Sequence, residues 1–400
     1  MKEVVIVSAC RTPIGKMSGQ FKDLTARDLA ITAGAEAIKR AGVDPKIIDE
    51  IIMGEVLSGM QGSLPAMQVG HRLGFGPHAT GVSINQNCAS SMRALEIASD
   101  HISLGKTDIA LVVGVESMTG APYMLSKARG GFRMGDGKIY DSMTHDALID
   151  ELTPGHMGMT AENVAEMYGI TRQECDELAV MSHNRAIAAV DAGKFVEEIV
   201  PVVIKSKKGE KVISTDEHPI RDCTMETLNK MKPAFKPDGG VVTAANASGV
   251  NDAASAVIVM SAEKAKELGI APMAKVLHVC SAGVEPRIMG VGPAKAIPKA
   301  LKAAGVDFND VDYWEINEAF AAQFIGAGRM LKEEAGMELD MSKVNRNGSG
   351  ISLGHPIGCT GLRVVVSLLH EMKRENLKLG GASMCVGAGP AMAGIFSRDF

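Results

Sequence analysis

Residues 82–100 read VSINQNCASSMRALEIASD, and the rest of the chain is organised around them. Val82-Ser83-Ile84 is β-rich. After Asn85-Gln86-Asn87-Cys88, a helix-favouring run sets Met92, Leu95, Ala98 and Ile102 on roughly one face until Gly105. This spacing predicts a buried strand turning into a buried helix, with Cys88 at the turn. The free N–H groups and positive end of such a helix are expected to lower the Cys88 pKa and favour a nucleophilic thiolate. A lone cysteine in an apolar segment is also ordinary core, so Cys88 by itself leaves both readings open.

The chain has 400 residues, 46% hydrophobic and 4% aromatic, with 44 glycines. That is enough for two or three cores built from Ala, Val, Ile, Leu and Met, joined by many tight turns. A net charge of −5 offers no footprint for nucleic acid. The seven cysteines include no C-x-x-C pair. Their odd number points to reduced thiols, and so to the cytoplasm, rather than to disulfides or a zinc cage. No apolar run approaches a membrane span, and the first residues lack a signal-peptide layout, so no membrane association is expected.

In chain order, residues 4–9 are expected as a strand buried on both faces and ended by Arg11-Thr12-Pro13. Thr25 with Asp28 marks a helix start and Gly42 its stop, while 51–53, 82–84 and 109–113 read as further apolar strands. Strands alternating with helices predict α/β layers around a largely parallel sheet. From 118 to 247 glycine, methionine and charge mix. This segment reads as an insertion carried by the first α/β unit, with helices near 160–168 and 171–192 and a charged turn at 205–211. Its basic cluster Lys127, Arg129, Arg133 suits either a phosphate-bearing ligand or a solvated loop. Strand character returns at 254–260.

The second half repeats the first. Ala41-Gly42-Val43-Asp44, followed by Ile51-Ile52-Met53-Gly54-Glu55, returns at constant spacing as Ala304-Gly305-Val306-Asp307, followed by Trp314-Glu315-Ile316-Asn317-Glu318. Asn85-Gln86-Asn87 is echoed by Asn345-Arg346-Asn347, and 109–114 by 382–387. Echoes in one order indicate a duplicated unit, with a cleft where loops at corresponding strand ends meet.

Four stretches at predicted strand ends carry reactive groups: Asn87-Cys88, Asn317-Glu318-Ala319-Phe320, Gly354-His355-Pro356 and Cys385-Val386-Gly387. Two cysteines, a histidine and an asparagine suit a nucleophile, its base, a second acid/base and an oxyanion donor. The blocks NQNCASSMRAL, NEAFAAQ, NGSGISLGHPIGCTG and MCVGAGPAMAGIF resemble the signature blocks of the thiolase family. MGMTAENVA, ANASGVNDAASAVIVMS and GVEPRIMGVGP resemble its connecting segments, in the family's order, so the resemblance spans the chain. RGGFRMGDGKIYDSM is similar to the tetramer and cationic loop of the acetyl-CoA acetyltransferase branch.

The resemblance implies an α/β thiolase fold: two duplicated βαβαβαββ halves, packed in αβαβα layers, plus an inserted loop domain. The first half would take 1–119 with 249–270, the loop domain 120–248, and the second half 271–400. It implies that Cys88 is acylated by acyl-CoA and that His355 takes its proton. Cys385 would move the α-proton of acetyl-CoA. Asn317, through a water, would share one oxyanion hole with His355, and the N–H groups of Cys88 and Gly387 would form the other. Leu148, His156, Met157, Arg221, Phe235, Ala244, Ser248, Met289, Ala319 and Phe320 would line the CoA path. The implied reaction is reversible Claisen condensation of two acetyl-CoA to acetoacetyl-CoA and CoA. CoA would serve as substrate carrier, with no metal or redox cofactor, in a homotetramer built from dimers.

The family usually carries a glycine where Ser91 stands, and its C-terminal block is looser than Ala388, Pro390 and Ala391 make it here. These departures bear on acyl chain length. Three further readings are a 3-ketoacyl-CoA thiolase for longer chains, a non-catalytic acyl-CoA-binding subunit, and a condensing ketoacyl synthase. The synthase normally pairs its cysteine with two histidines. The glycine runs at 348–350 and 387–389 lack the layout of a nicotinamide site.

Overall fold

Strand β1 (Val4–Arg11) is buried along its whole length and feeds two separate cores. Val4 and Ile6 enter one and Val5 and Val7 the other, as the two-residue period of a strand requires. The computed structural model describes residues 1–153, 155–207 and 209–400. Helix α1 (Ala26–Ala41) starts with a capping box between Thr25 and Asp28 and stops at Gly42, whose φ of 67° is left-handed. Strands β2 (Glu50–Gly54) and β3 (Thr80–Ile84) lead to helix α2 (Ser90–Ser103) and strand β4 (Ile109–Ser117). Met92, Leu95, Ala98 and Ile102 form the buried face expected of α2.

Between β4 and strand β5 (Asn251–Ser261) lie helices α3 (Met157–Tyr168) and α4 (Arg172–Asp191). The expected charged turn at 205–211 is part of a hairpin, Val202–Ser206 against Gly209–Ile213, with Lys208 outside the described residues. The second half continues with strand β6 (Ala274–Gly283), helix α5 (Pro293–Ala304), strand β7 (Tyr313–Ile316) and helix α6 (Ala321–Ala335). Helix α7 (Ile357–Arg374) and strands β8 (Leu379–Cys385) and β9 (Pro390–Ser397) complete it.

Each half has one strand order. In the first it runs β3-β2-β4-β5-β1; in the second Val344, bridged to Trp314, takes the edge before β7-β8-β9-β6. In each, the outer pairings are parallel and the two leading to the inner edge antiparallel. A short β1–β6 pairing joins the halves into one mixed sheet path. The sheet is therefore not largely parallel. Continuous apolar runs report burial on both faces, whereas strand direction follows the connections, such as the tight turn from β8 to β9.

The duplication extends to local chemistry. Gly42 and Gly305 both end helices at φ 67°, and Asp44 and Asp307 cap matching short turns. Asp49 accepts the N–H groups of Asp108 and Ile109, as Asp312 accepts those of Lys378 and Leu379. The other two echoes are out of strand register. Pairing with β2 and β7 matches Ala110 to Gly380 and Gly81 to Val344.

Helices α2 and α7 pack on strands of both halves and form the middle layer, with α1 outside one sheet and α5 outside the other. Gly54 ends β2 hard against α2: a Cβ there would lie 2.3 Å from the Ser91 nitrogen. That approach brings the strand end beside the turn carrying Cys88. Among the described residues, no helix is long and apolar enough to cross a membrane.

Candidate active site

The four reactive stretches converge on one region. Cys88 occupies the β3–α2 turn, Asn317 follows β7, His355 precedes α7, and Cys385 ends β8. Cys88, His355 and Gly387 line a cavity of about 340 Å³. Asn87, left-handed at φ 46°, donates from Nδ2 to the Gly387 carbonyl at 3.3 Å and ties the first half's loop to the second's.

Burial pushes the Cys88 thiol up to about 11, offset in part by N–H donation from Gly387 and from Cys88 itself. The expected lowering by the helix end does not occur. The N–H groups of Ala89 and Ser90 are already bound to the Gln86 and Asn87 carbonyls, at 3.2 and 3.0 Å. Desolvation therefore outweighs the dipole. Cys88 thus rests as a thiol, and nucleophilic use of it requires a base.

His355 suits that need. Its Nδ1 lies 2.6 Å from the Thr360 hydroxyl, whose proton goes to the Pro356 carbonyl at 2.8 Å. The hydroxyl has one proton, so Nδ1 carries the imidazole hydrogen and Nε2 is a bare acceptor. Nε2 is buried without a partner. Burial, helped by the Arg363 charge, lowers the His355 pKa to about 3 and keeps the ring neutral. The Asn251 side-chain oxygen accepts the His355 backbone N–H at 3.0 Å.

Cys385 and Asn317 lie behind the cavity wall, both fully buried. Cys385 packs with Met157, Met289 and Ala319, and burial, then the Cys88 charge, raises its pKa far above the ordinary thiol range. Asn317 accepts from Arg363 at its side-chain oxygen, while its Nδ2 has no partner.

Of the residues expected along the ligand path, Leu148, His156, Met157, Phe235, Ala244, Ser248, Met289, Ala319 and Phe320 line the same cavity. His156 caps α3 by accepting the Gly158 N–H at 3.1 Å and stacks on Phe235 with centroids 4.6 Å apart. Ser248 N–H binds the Ala319 carbonyl at 2.9 Å, joining the segment before β5 to that after β7. Arg221 is not brought in. It is largely exposed and paired with Asp191 at 2.8 Å.

Two family models cover the chain: "Thiolase, N-terminal domain" matches residues 4–263 and "Thiolase, C-terminal domain" residues 270–398. The chain belongs to the thiolase family. An acetyl-CoA acetyltransferase of Syntrophomonas wolfei is 48% identical over 394 residues, covering 98% of each chain. A solved acetyl-CoA acetyltransferase structure from the same organism has a TM-score of 0.98 at 59% identity, covering 100% of both chains. Human mitochondrial 3-ketoacyl-CoA thiolase matches at TM-score 0.94 and 39% identity over 99% of each.

The thiolase frame shows where the sequence departures fall. Ser91 does not reach the cavity. Its hydroxyl donates to the Cys359 carbonyl at 3.1 Å and accepts the Leu362 N–H at 2.8 Å, fastening α2 to α7. Ala388 sits in the turn closed by Gly389 N–H on the Val386 carbonyl and takes φ 72°, a conformation that favours glycine. Pro390 opens β9 at its pairing with Gly283, and Ala391 follows within the strand; neither lines the cavity.

Sequence reading missed Thr360, Asn251, Arg363 and Glu116. Thr360 lies within the quoted block GHPIGCT, and Arg363 is a lone cation in the apolar run LRVVV, which is itself a signal. Glu116 accepts the N–H groups of Val56, Leu57 and Gly358 at 3.1, 3.0 and 2.8 Å, holding the loop after β2 to the start of α7. Burial pushes its pKa up to about 7. Beside it, burial and the Glu116 charge take Glu55 up to about 8.

Proposed function

We infer that this chain is an acetyl-CoA C-acetyltransferase, interconverting two acetyl-CoA with acetoacetyl-CoA and CoA through acetyl-Cys88. The observation that carries the reading is the half-buried thiol of Cys88 sharing one cavity with the bare Nε2 of a neutral His355, the Gly387 N–H being directed at the sulfur. His355 accepts the Cys88 proton as sulfur attacks the thioester carbonyl. The CoA thiolate leaves and is protonated. The Cys88 and Gly387 N–H groups stabilise the oxyanion.

Cys385 then gives its thiol proton to His355 Nε2 and, as the thiolate, takes an α-proton from a second acetyl-CoA; His355 later returns its proton to the departing Cys88 sulfur. The enolate carbon attacks acetyl-Cys88, forming the carbon–carbon bond and releasing the Cys88 sulfur. Burial that holds Cys385 as a thiol also makes its thiolate, once formed, a strong base. In thiolysis the resting thiol is already the acid that the acetyl-CoA enolate needs. Asn317 and His355, the latter by then protonated at Nε2, stabilise that enolate oxygen, a role supported by their two buried, unpartnered nitrogens. Atoms and electrons balance without a metal or redox cofactor.

We assign residues 120–248 as the CoA-facing insertion, with 1–119 plus 249–270 and 271–400 as the two halves. The lining residues Leu148, His156, Met157, Phe235, Ala244 and Ser248 support this. A cavity of this size, mostly apolar with few polar anchors, suits a pantetheine arm. A homotetramer is supported by the exposed Tyr123, Phe132, Met134 and Ile139. The seven unpaired cysteines support a cytoplasmic setting.

The test is CoA-dependent thiolysis of acetoacetyl-CoA against a medium-chain 3-oxoacyl-CoA, with Cys88→Ala as control. Preference for acetoacetyl-CoA is expected. Preference for the longer substrate would make the chain a degradative 3-ketoacyl-CoA thiolase. Silence on both would leave an acyl-CoA-binding subunit.

A further inference from the structure

Arg363 lies on α7 between the two halves and is wholly buried. Its Nη2 donates to Asn317 Oδ1 and to Ser349 Oγ, each at 3.4 Å, and Glu315 Oε2 lies 3.7 Å from Nη1. Nε and Nη1 have no hydrogen-bond acceptor. A buried guanidinium paired so incompletely is expensive to the fold, and an apolar side chain of similar volume would cost less. Stability does not account for it.

We propose that Arg363 is the positioning residue for Asn317: its donor-only guanidinium holds the amide oxygen and leaves Nδ2 turned away, free to hold the water that serves the reacting thioester oxygen. The argument is one of hydrogen-bond sign. A guanidinium has no acceptor, so the Asn317 atom facing it is the oxygen, and the amide nitrogen is turned away. That nitrogen is buried and unpartnered, as an oxyanion donor awaiting its substrate would be. Among the described residues no other donor reaches Asn317 Oδ1. The neighbouring N–H is fixed separately, on the Ser383 carbonyl at 2.9 Å. Without the cation no donor holds Oδ1 in place, and a flipped amide would present an acceptor where a donor is required.

The proposal rests on the acetyltransferase reading, in which Asn317 serves the enolate and the Cys88 and Gly387 N–H groups serve acyl transfer. Two rates separate these duties. Exchange of labelled CoA into acetyl-CoA reports acyl transfer to Cys88. Uptake of deuterium from heavy water into the acetyl methyl group reports the enolate. Arg363→Met keeps volume and removes every donor. Arg363→Met with Glu315→Gln also removes the nearest carboxyl, should that group not tolerate the loss alone.

In the full chain, either variant is expected to keep CoA exchange within about threefold while deuterium uptake falls roughly 10- to 100-fold. An equal fall in both rates, or failure of both variants to fold, would assign Arg363 to the scaffold and overturn the proposal; so would two unchanged rates. Asn317→Ala is the reference. If it keeps deuterium uptake while CoA exchange persists, the enolate role of Asn317 fails first, and that result is distinct from a failure at Arg363 alone.

Discussion

His355 Nδ1 and Thr360 Oγ1 stand 2.6 Å apart, and because the hydroxyl is committed to the Pro356 carbonyl, the pair fixes which histidine nitrogen is free to accept a proton. Thr360→Val removes the acceptor while keeping the shape. The stranded Nδ1–H is expected to cost about 1–3 kcal/mol of stability. The imidazole then equilibrates to the tautomer with Nε2 protonated, so acylation of Cys88 should fall by at least roughly 10-fold. Thr360→Ser should retain most of it. Rapid-quench acylation with labelled acetyl-CoA makes the comparison, and equal rates for the Val and Ser variants would refute the tautomer.

Cys88 titrates high, so its alkylation should report a thiol. Inactivation by iodoacetamide is expected to climb about tenfold per pH unit through 8 and 9, approaching a plateau only near 11. A plateau below pH 8 would mean that the helix end and His355 hold a thiolate after all.

Cys88→Ala should abolish both CoA exchange and condensation while the fold survives. Cys385→Ala should still form the acetyl-enzyme but lose at least about 100-fold in acetoacetyl-CoA synthesis. Normal synthesis by the second variant would remove Cys385 from the mechanism.

Glu55 gives a pH-dependent stability prediction. Its folded pKa, about 8, lies above the ordinary value of 4.5, because burial and Glu116 disfavour its charge. Its contribution to stability is therefore full below pH 4.5 and lost as pH rises through 8. Glu55→Gln removes that loss. Relative to the parent chain, the variant should gain on the order of 2 kcal/mol between pH 5 and pH 8. Thermal midpoints of both chains at the two pH values test this; a gap that does not widen with pH would contradict it.

Ala388, at φ 72°, stores strain in the turn that aims the Gly387 N–H. Ala388→Gly should stabilise the chain by about 1 kcal/mol. Chain-length preference should not change, since Ala388 is outside the cavity. A shift in that preference would place the turn in substrate selection.

Features decided by near neighbours were legible in the sequence. The capping box at Thr25, the left-handed Gly42 and Gly305, and the strand–turn–helix at Cys88 each follow from a few adjacent residues. Strand direction was not legible, because a run such as 251–261 looks the same in either sense. The echoes at Asn85 and Ile109 matched in composition but not in register, which only pairing to β2 and β7 defines. The Cys88 pKa differs from that expected of a helix end because the N–H groups of Ala89 and Ser90 are consumed locally and the desolvating walls come from distant segments. Arg221 lies outside the cavity, where its exposed side chain pairs with Asp191 on α4.

The duplication also sets a limit on itself. Gly54 occupies in the first half the place that Asn317 occupies in the second, at the end of the matching strand. No side chain fits at Gly54, where a Cβ would lie 2.3 Å from the Ser91 nitrogen. The two copies can therefore never trade jobs. The two strand ends are thus unlike by construction: on the proposed mechanism the asparagine that serves the enolate can stand only in the second half, and a single close contact decides which half that is.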